Sequence, residues 1–549
     1  MFISEFLSTF ARIIGRWSDA SFSGGRNRQS DNTNNLYIRM FENQPKGLFA
    51  LALANTGERF GYYTMLAVFA LFLRANFGLE PGAAGAIYSS FLALVYFLPL
   101  VGGILADKIG YGRCVTIGII IMFLGYVLLA VPLGGVDNGS IALPMTAMIL
   151  ALVLISFGTG LFKGNLQVMV GNLYDDPKYA DRRDSAFSIF YMAINIGAMF
   201  APTAAVKIME WAQTSLGISV NDSYHFAFMV ACASLILSIV IYYACRPWFK
   251  HVENTAKQQA AAGQAVEELT AEQTKKRIIA LCLVFAVVIF FWMAFHQNGL
   301  TLTYFANEFV NPVSTGIQSM AFDIVNLVMI VFIVYGLFSL FQSKTAKGKV
   351  IAGAVIAAAC GVLAWKYTTI SPEGIRLSAP IFQQFNPFYV VALTPVSMAI
   401  FGALARKGKE PSAPRKIAYG MLVAALAYVV MAVGCIGLNS PDAQAAAADP
   451  TYASANLLIG TYLILTFGEL LLSPMGISFV SKVAPPKYKG MMMGGWFVAT
   501  AVGNFLVSVG GFLWGSLPLW VVWSVFVGLC LISAVFMFAM MNKLEDATK

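Results

Sequence analysis

The chain has 549 residues, of which 58% are hydrophobic and 11% charged, whereas a soluble domain carries about a quarter of its residues as charged side chains. A water-facing surface could not hide so much apolar area, which excludes a soluble globular protein, a coiled coil and a disordered chain. The net charge of +9 raises nucleic acid as a partner, and the placement of the basic residues removes it.

In chain order, residues 1–47 read as a cytoplasmic N-terminal segment with no cleavable signal peptide legible in it. Phe2, Ile3, Phe6, Leu7, Phe10, Ile13, Ile14 and Trp17 recur there at helical spacing beside Arg12 and Arg16. That is the pattern of a helix lying on the inner leaflet, with a partly ordered tail as the alternative. Residues 23–36 read as a flexible linker. Fourteen apolar runs follow, at 48–75, 84–107, 113–132, 143–169, 184–210, 223–245, 276–303, 320–342, 348–368, 385–405, 415–437, 453–477, 488–513 and 517–541. Each is near the roughly 20 residues that cross a bilayer as helix. The runs are unbroken and do not alternate, which excludes a β-barrel, and unpaired backbone groups are too costly in lipid for anything but helix. The fold class is therefore an all-α polytopic membrane protein.

With the N-terminus inside and the runs alternating, 30 of the 36 Lys and Arg residues fall on the inner side. Arg74, Lys207, Lys366 and Arg376 alone fall outside, and Arg59 and Lys163 lie within runs. Such a bias is a strong topology signal. It predicts cytoplasmic N- and C-termini in a cell membrane, and it accounts for the positive charge without nucleic acid. The seven cysteines, at 114, 232, 245, 282, 360, 435 and 530, show no paired or metal-binding spacing and read as small core residues.

Gly103–Lys108 after the second run is echoed by Gly402–Lys407 after the tenth. If 320–368 is an inserted hairpin, the chain divides into two halves of six helices plus two. The expected organisation is a six-helix bundle at 48–245, a cytoplasmic connector at 246–275, a second bundle at 276–541 carrying the 320–368 hairpin, and a tail at 542–549. Repeated halves with a site between them are a common transporter plan.

Ionisable groups at membrane depth are functional candidates by default. Here they are Glu58, Arg59, Lys163, Glu469 and His296. The four charged ones sum to zero, so they can neutralise one another inside a bundle. Polar and aromatic residues of these and other runs are grouped with them: Tyr62 and Tyr63, Tyr191 and Asn195, Trp292, Gln297 and Asn298, and Asn386. Together they describe a polar cavity of mixed sign that suits a zwitterion, its anionic end near Lys163 or Arg59 and its cationic end near Glu469, with amides from Asn195 and Asn386. Walker A, H-E-x-x-H and G-x-S-x-G sequences are absent, and the three histidines make no ligand cluster. Neither an enzyme nor a cofactor is read, and the driving force falls to an ion or solute gradient.

Asn-Thr-Gly-Glu-Arg-Phe-Gly-Tyr-Tyr at 55–63 resembles the first-helix ExxERF-x-YY signature of the proton-dependent oligopeptide transporter family of the major facilitator superfamily. Gly102–Gly110 resembles the superfamily loop after helix two, Gly158–Asn165 resembles GTGxxKPN, and Phe190–Gly197 resembles FYxxINxG. Gly468–Pro474 and Met491–Phe497 are similar to segments of the family's helices ten and eleven. The resemblance implies the major facilitator fold, two six-helix bundles with two extra transmembrane helices here, and uptake of di- and tripeptides with protons. By matching positions it implies peptide contacts at Tyr62, Tyr63, Tyr96, Lys163, Asn195, Trp292, Asn386, Glu469 and Trp496, with Lys163 near the carboxylate and Glu469 near the amine. It implies gating or proton coupling at Glu58, Arg59, Lys163, His296 and Glu469, and a Lys163–Glu469 pair when the site closes. Three positions depart from the family. Asn55 replaces the first Glu, Leu66 stands where an Arg is frequent, and His296 matches the helix-seven acid that pairs with that Arg. Two other readings stand beside peptide uptake: the same fold carrying nitrate, an amino acid or another small solute, and a non-transporting membrane sensor. The expected partners are small peptides, protons and the lipid bilayer, in a protein whose monomeric state is plausible and whose oligomeric state is not legible.

Overall fold

A computed structural model of the chain describes residues 44–136, 139–179, 182–253, 270–343, 345–485 and 488–547. The surface helix expected at 2–17, the linker at 23–36 and most of the 246–275 connector lie outside the described residues. Among the described residues, fourteen helices are long and apolar enough to cross a membrane. They are α1 (Lys46–Phe77), α2 (Pro81–Ala106), α3 (Tyr111–Ala130), α4 (Ala142–Asn172), α5 (Ser185–Leu216), α6 (Val220–Ala244), α7 (Ala271–Glu308), α8 (Ile324–Gln342), α9 (Ala346–Thr368), α10 (Ala379–Arg406), α11 (Ala413–Gly434), α12 (Ala455–Val480), α13 (Met491–Leu513) and α14 (Leu519–Ala539).

The helix ends follow ordinary capping chemistry. Ser219 accepts from the Asp222 amide at the start of α6, and Thr270 with Gln273 forms a capping box at the start of α7. Arg74 lies in the last turn of α1, where a cation complements the helix dipole, and Gly78 at φ 61° ends that helix. Pro99 falls where α2 passes from Pro81–Phe97 to Pro99–Ile109, the usual cause of a kink. The second piece corrects an expectation. The stretch 102–110, matched to a loop, is helical through Ile109, because the Leu98 and Gly102 amides still bond to Leu94 and Leu98 and keep the backbone ladder continuous across the proline.

α1 packs against α5 and α6, α3 lies along α4, and α2 crosses α4. Among the later helices α11 packs on α12 and α14, α7 on α13 and α14, and α10 on α12. Glycine sets the α1–α6 distance: a Cβ at Gly57 would come 3.2 Å from the Ser238 Cβ, and one at Gly61 would collide with the Ser234 hydroxyl. This close approach occupies one face of α1 and turns the opposite face, which carries Asn55, Glu58, Arg59 and Tyr62, toward the other helices.

The sequence 276–303 reads as one run, yet α7 is broken. It is α-helical over Ala271–Phe295, passes through a 3₁₀ turn at His296–Gly299, and resumes over Thr301–Glu308. A break at membrane depth exposes carbonyls that must find donors. Tyr428 donates to the Ala294 carbonyl at 2.5 Å, Gln297 to Met293 at 3.2 Å, and Thr303 and Tyr462 both to Asn298 at 3.0 Å. The hydroxyls that satisfy the break come from α11 and α12 as well as from α7 itself.

α8 and α9 form a hairpin. A two-stranded antiparallel sheet joins the segments that flank it, β1 (Val313–Ser314) to β2 (Ile375–Arg376), and the Asp323–Lys366 ion pair at 2.6 Å closes its base. Tyr335 on α8 donates to the Val391 carbonyl of α10 at 3.2 Å and lies 3.7 Å from the Met192 sulfur of α5.

An even number of crossings puts residues 44 and 547 on one side, called here the terminal side. On the opposite, distal side, bonds tie the first six helices to the later ones. Arg74 on α1 pairs with Glu308 at the end of α7, and the Trp514 indole donates to the same carboxylate at 2.9 Å. Thr203 on α5 donates to Gln384 at 2.8 Å, and Gln383 donates to the Ala67 carbonyl at 3.1 Å.

Candidate functional site

The buried charges sit where helices of both groups meet. Glu58 and Arg59 are adjacent on α1 and 1% and 4% exposed. They pair with each other: Arg59 Nε donates to Glu58 Oε2 at 2.5 Å and Nη2 to Oε1 at 2.8 Å. The Arg59 guanidinium also lies 5.0 Å from the Tyr62 ring centroid. Such a bidentate pair satisfies both groups locally.

Lys163 and Glu469 are treated differently. Lys163 Nζ, from α4, lies over the Tyr96 ring of α2 at 3.7 Å from its centroid, a close cation–π contact. Glu469, on α12 and 8% exposed, accepts from Asn386 Nδ2 of α10 at 2.9 Å and from the Tyr191 hydroxyl of α5 at 3.3 Å. Asn386 is itself steadied by Thr466, one turn before Glu469, at 3.0 Å. Among the described residues neither Lys163 nor Glu469 has an ion-pair partner within 4.0 Å. The four charges thus do not form one mutually neutralising set: two pair with each other, and two are held by neutral groups. Tyr63 and Tyr96 lie within electrostatic reach of both Arg59 and Glu469, which brings the basic and acidic groups into one region between the two groups of helices.

The remaining residues singled out in the sequence fall around it. Tyr62 and Tyr63 meet edge to face at 5.2 Å, and Tyr62 stacks on Phe91 at 6.2 Å. Trp292 stacks on His296 at 5.1 Å and 20°, and His296 lies 6.2 Å from Tyr96. His296, placed mid-way along an unbroken run from sequence, is the first residue of the 3₁₀ break in α7. Asn195 is buried on α5, with its amide donating to the Tyr191 carbonyl at 3.0 Å, which fixes it beneath the tyrosine that reaches Glu469. Trp496 is buried on α13 and brings the edge of its ring against α12, where a side chain on Gly476 would run into it. Asn55, one turn before Glu58 and Arg59, is buried with its amide nitrogen unbonded.

Sequence reading passed over two participants. Thr466 follows from its position one turn before Glu469. Glu308 had no signal, since its pairing with Arg74 spans 234 positions.

The model of the POT family matches residues 113–266 and 367–511. The chain is 29% identical over 508 residues to the "Uncharacterized transporter YclF" of Bacillus subtilis (strain 168), covering 87% of this chain and 90% of that protein. It is 26% identical over 500 residues to the "Dipeptide and tripeptide permease A" of Escherichia coli (strain K12), covering 88% and 87%. Among solved structures, a mutant of peptide transporter POT in complex with alafosfalin superposes with TM-score 0.68 at 25% identity, over 93% of this chain and 97% of that one. A POT family transporter in complex with 5-aminolevulinic acid superposes with TM-score 0.68 at 20% identity, over 93% and 98%. With more than half of its residues under the family model and the major facilitator fold of the solved members, this multi-pass membrane protein belongs to the POT family of transporters.

Proposed function

We propose that the protein takes up di- and tripeptides by alternating access, driven by protons, with both termini in the cytoplasm. The observation that carries this reading is the separation of Lys163 and Glu469. Each is a membrane-depth charge with no ion-pair partner within 4.0 Å among the described residues, each comes from a different group of helices, and both lie by Tyr96, Lys163 over its ring and Glu469 within electrostatic reach. A zwitterion supplies both missing counter-charges at once. Its carboxylate goes to Lys163, and its ammonium goes to Glu469, where the Asn386 amide and the Tyr191 hydroxyl fix the orientation of the acceptor. The relatives named as di- and tripeptide permeases support peptides as that zwitterion.

The two groups of helices, 48–245 and 276–541, move as bundles around the site. In this reading the Arg74–Glu308 pair and the Thr203–Gln384 bond form the closure on the side away from the termini. Leu66 and His296 stand where the family has a pair, and the Arg74–Glu308 pair links the same two helices further out. A ligand shifts the balance only by its differential affinity for the two states. A peptide bound between Lys163 and Glu469 does so by replacing their direct attraction in the closed site. Proton coupling runs through Glu469, which meets the substrate ammonium in one phase and a proton in the other. Glu58, fixed to Arg59, and His296 serve as secondary proton or gating groups. Asn55 cannot titrate, so it has no part in the relay.

Proteoliposomes test this directly. Labelled dialanine accumulates against its gradient when the lumen is made alkaline, and accumulation stops in Lys163→Ala and Glu469→Ala. Equal uptake with and without the pH gradient removes proton coupling, and normal uptake by either variant removes the assigned site. Melting of the purified protein against di- and tripeptides, free amino acids and nitrate separates peptides from the other solutes, because a ligand that binds only the folded state raises the midpoint in proportion to its occupancy.

A further inference from the structure

The two seams where the groups of helices meet the bilayer are finished differently. Along α5 and α10 the hairpin lies across the join: Tyr335 of α8 donates to the Val391 carbonyl of α10 and lies 3.7 Å from the Met192 sulfur of α5. Along α2 and α13 no helix covers the join among the described residues, and Ile104, Met491 and Val498 stay exposed there. A groove of about 540 Å³ runs along this second seam. Its walls are Leu100 of α2, Phe285 and Ile289 of α7, and Met491, Val498 and Val502 of α13. Gly494 and Gly495 make its floor: a Cβ on the first would come 2.9 Å from a Leu100 methyl carbon, and one on the second 2.6 Å from the Phe285 ring.

Three features of the groove select its occupant. Every side chain in it is apolar, so a water molecule finds no hydrogen-bond partners among them. Its length is that of one leaflet: from Met491 to Val502 an α-helix rises about 16 Å, half of a hydrocarbon core about 30 Å thick, and Met491 opens α13 on the terminal side. Its terminal end is basic. Lys275 and Arg277 stand two to three turns before Phe285 on α7, and neither has an ion-pair partner within 4.0 Å among the described residues. Their charge complements a phosphate at the membrane surface.

We propose that this groove binds one acyl chain of a phospholipid from the terminal-side leaflet, with the phosphate held toward Lys275 and Arg277. The inference concerns the bilayer rather than the cargo, and it stands whether or not the protein carries peptides. The walls belong to both groups of helices, so the bound chain fills space that α2 would need in order to move onto α13. A lipid that binds only the parted arrangement favours that arrangement.

The test is native mass spectrometry of the full chain, carried in detergent with palmitoyl-oleoyl phosphatidylglycerol. Wild-type protein keeps one phospholipid. Val498→Trp fills the groove with an indole and lowers the retained fraction about 10-fold, as expected when a few methylene groups lose their burial. Ile532→Trp places the same indole on an exposed position of α14 and retains the lipid as wild type does. Val502→Trp serves if Val498→Trp does not fold. Lys275→Gln combined with Arg277→Gln weakens retention about 10-fold while leaving the groove intact. Equal retention in the groove variant and wild type, an equal loss in Ile532→Trp, or retention of detergent alone overturns the site. Unchanged retention in the double variant overturns the placement of the phosphate.

Discussion

Two pairs of membrane-depth charges sit where the two groups of helices meet and are handled in opposite ways. Glu58 and Arg59 are neighbours in sequence, bidentate, and closed to solvent. Lys163 and Glu469 are 306 positions apart and rest on a tyrosine face and on neutral donors. The first pair satisfies its hydrogen bonds internally, while its charges still reach Lys163. The second leaves two charges to be completed from outside, which is what distinguishes a binding site from an internal strut. Ionic content alone does not mark function in a membrane; the lack of a fixed partner does.

The sharpest way to break the comparison is to remove one member of each pair. Lys163→Ala and Glu469→Ala are expected to fold and to lose concentrative dipeptide uptake by 100-fold or so, because a close charge contact with the substrate is worth about 2–5 kcal/mol; liposome uptake measures this. Glu58→Gln strands Arg59 in an apolar interior, so the expected loss is one of stability, about 3–5 kcal/mol, read as a large fall in the melting midpoint of purified protein. Were the Lys163 and Glu469 variants to exchange phenotypes with Glu58→Gln, the division between site and strut would be reversed.

The charges themselves were legible, since an apolar chain advertises every ionisable residue inside a run. Their partners were not. Tyr191 and Asn386 reach Glu469 from helices 278 and 83 positions away, and no local pattern encodes which faces meet. Helix number was equally legible, because about 20 apolar residues can cross a bilayer only as helix. The helix ends were less so. The tenth run reads as starting at 385, whereas Ala379–Gln384 already forms a 3₁₀ turn leading into the helix. The loop matched at 102–110 continues α2 as far as Ile109. Hydropathy marks where lipid begins and says little about backbone bonds that continue past it.

Smaller effects sharpen the contrast at the rim. Arg74→Ala removes the ion pair at the distal closure, a partly exposed contact worth about 1 kcal/mol. The outward population is expected to rise roughly five-fold, read as faster labelling from the distal side of a cysteine placed at Thr203. Asp323→Asn loosens only the base of the hairpin. Its cost is expected to stay below about 1 kcal/mol, with uptake unchanged and a midpoint shift of a few degrees at most.

The interruption of α7 at His296–Gly299 has a mechanical consequence. The hydroxyls of Tyr428 and Tyr462 hold the carbonyls of Ala294, just before it, and of Asn298, within it, so α7 behaves as a long and a short rod joined at a knee rather than as one stiff pole. The long rod, Ala271–Phe295, can swing while the short one, Thr301–Glu308, stays docked under Arg74 and Trp514. The two doors of such a carrier need not turn on a single axle, and one can begin to shut before the other has let go.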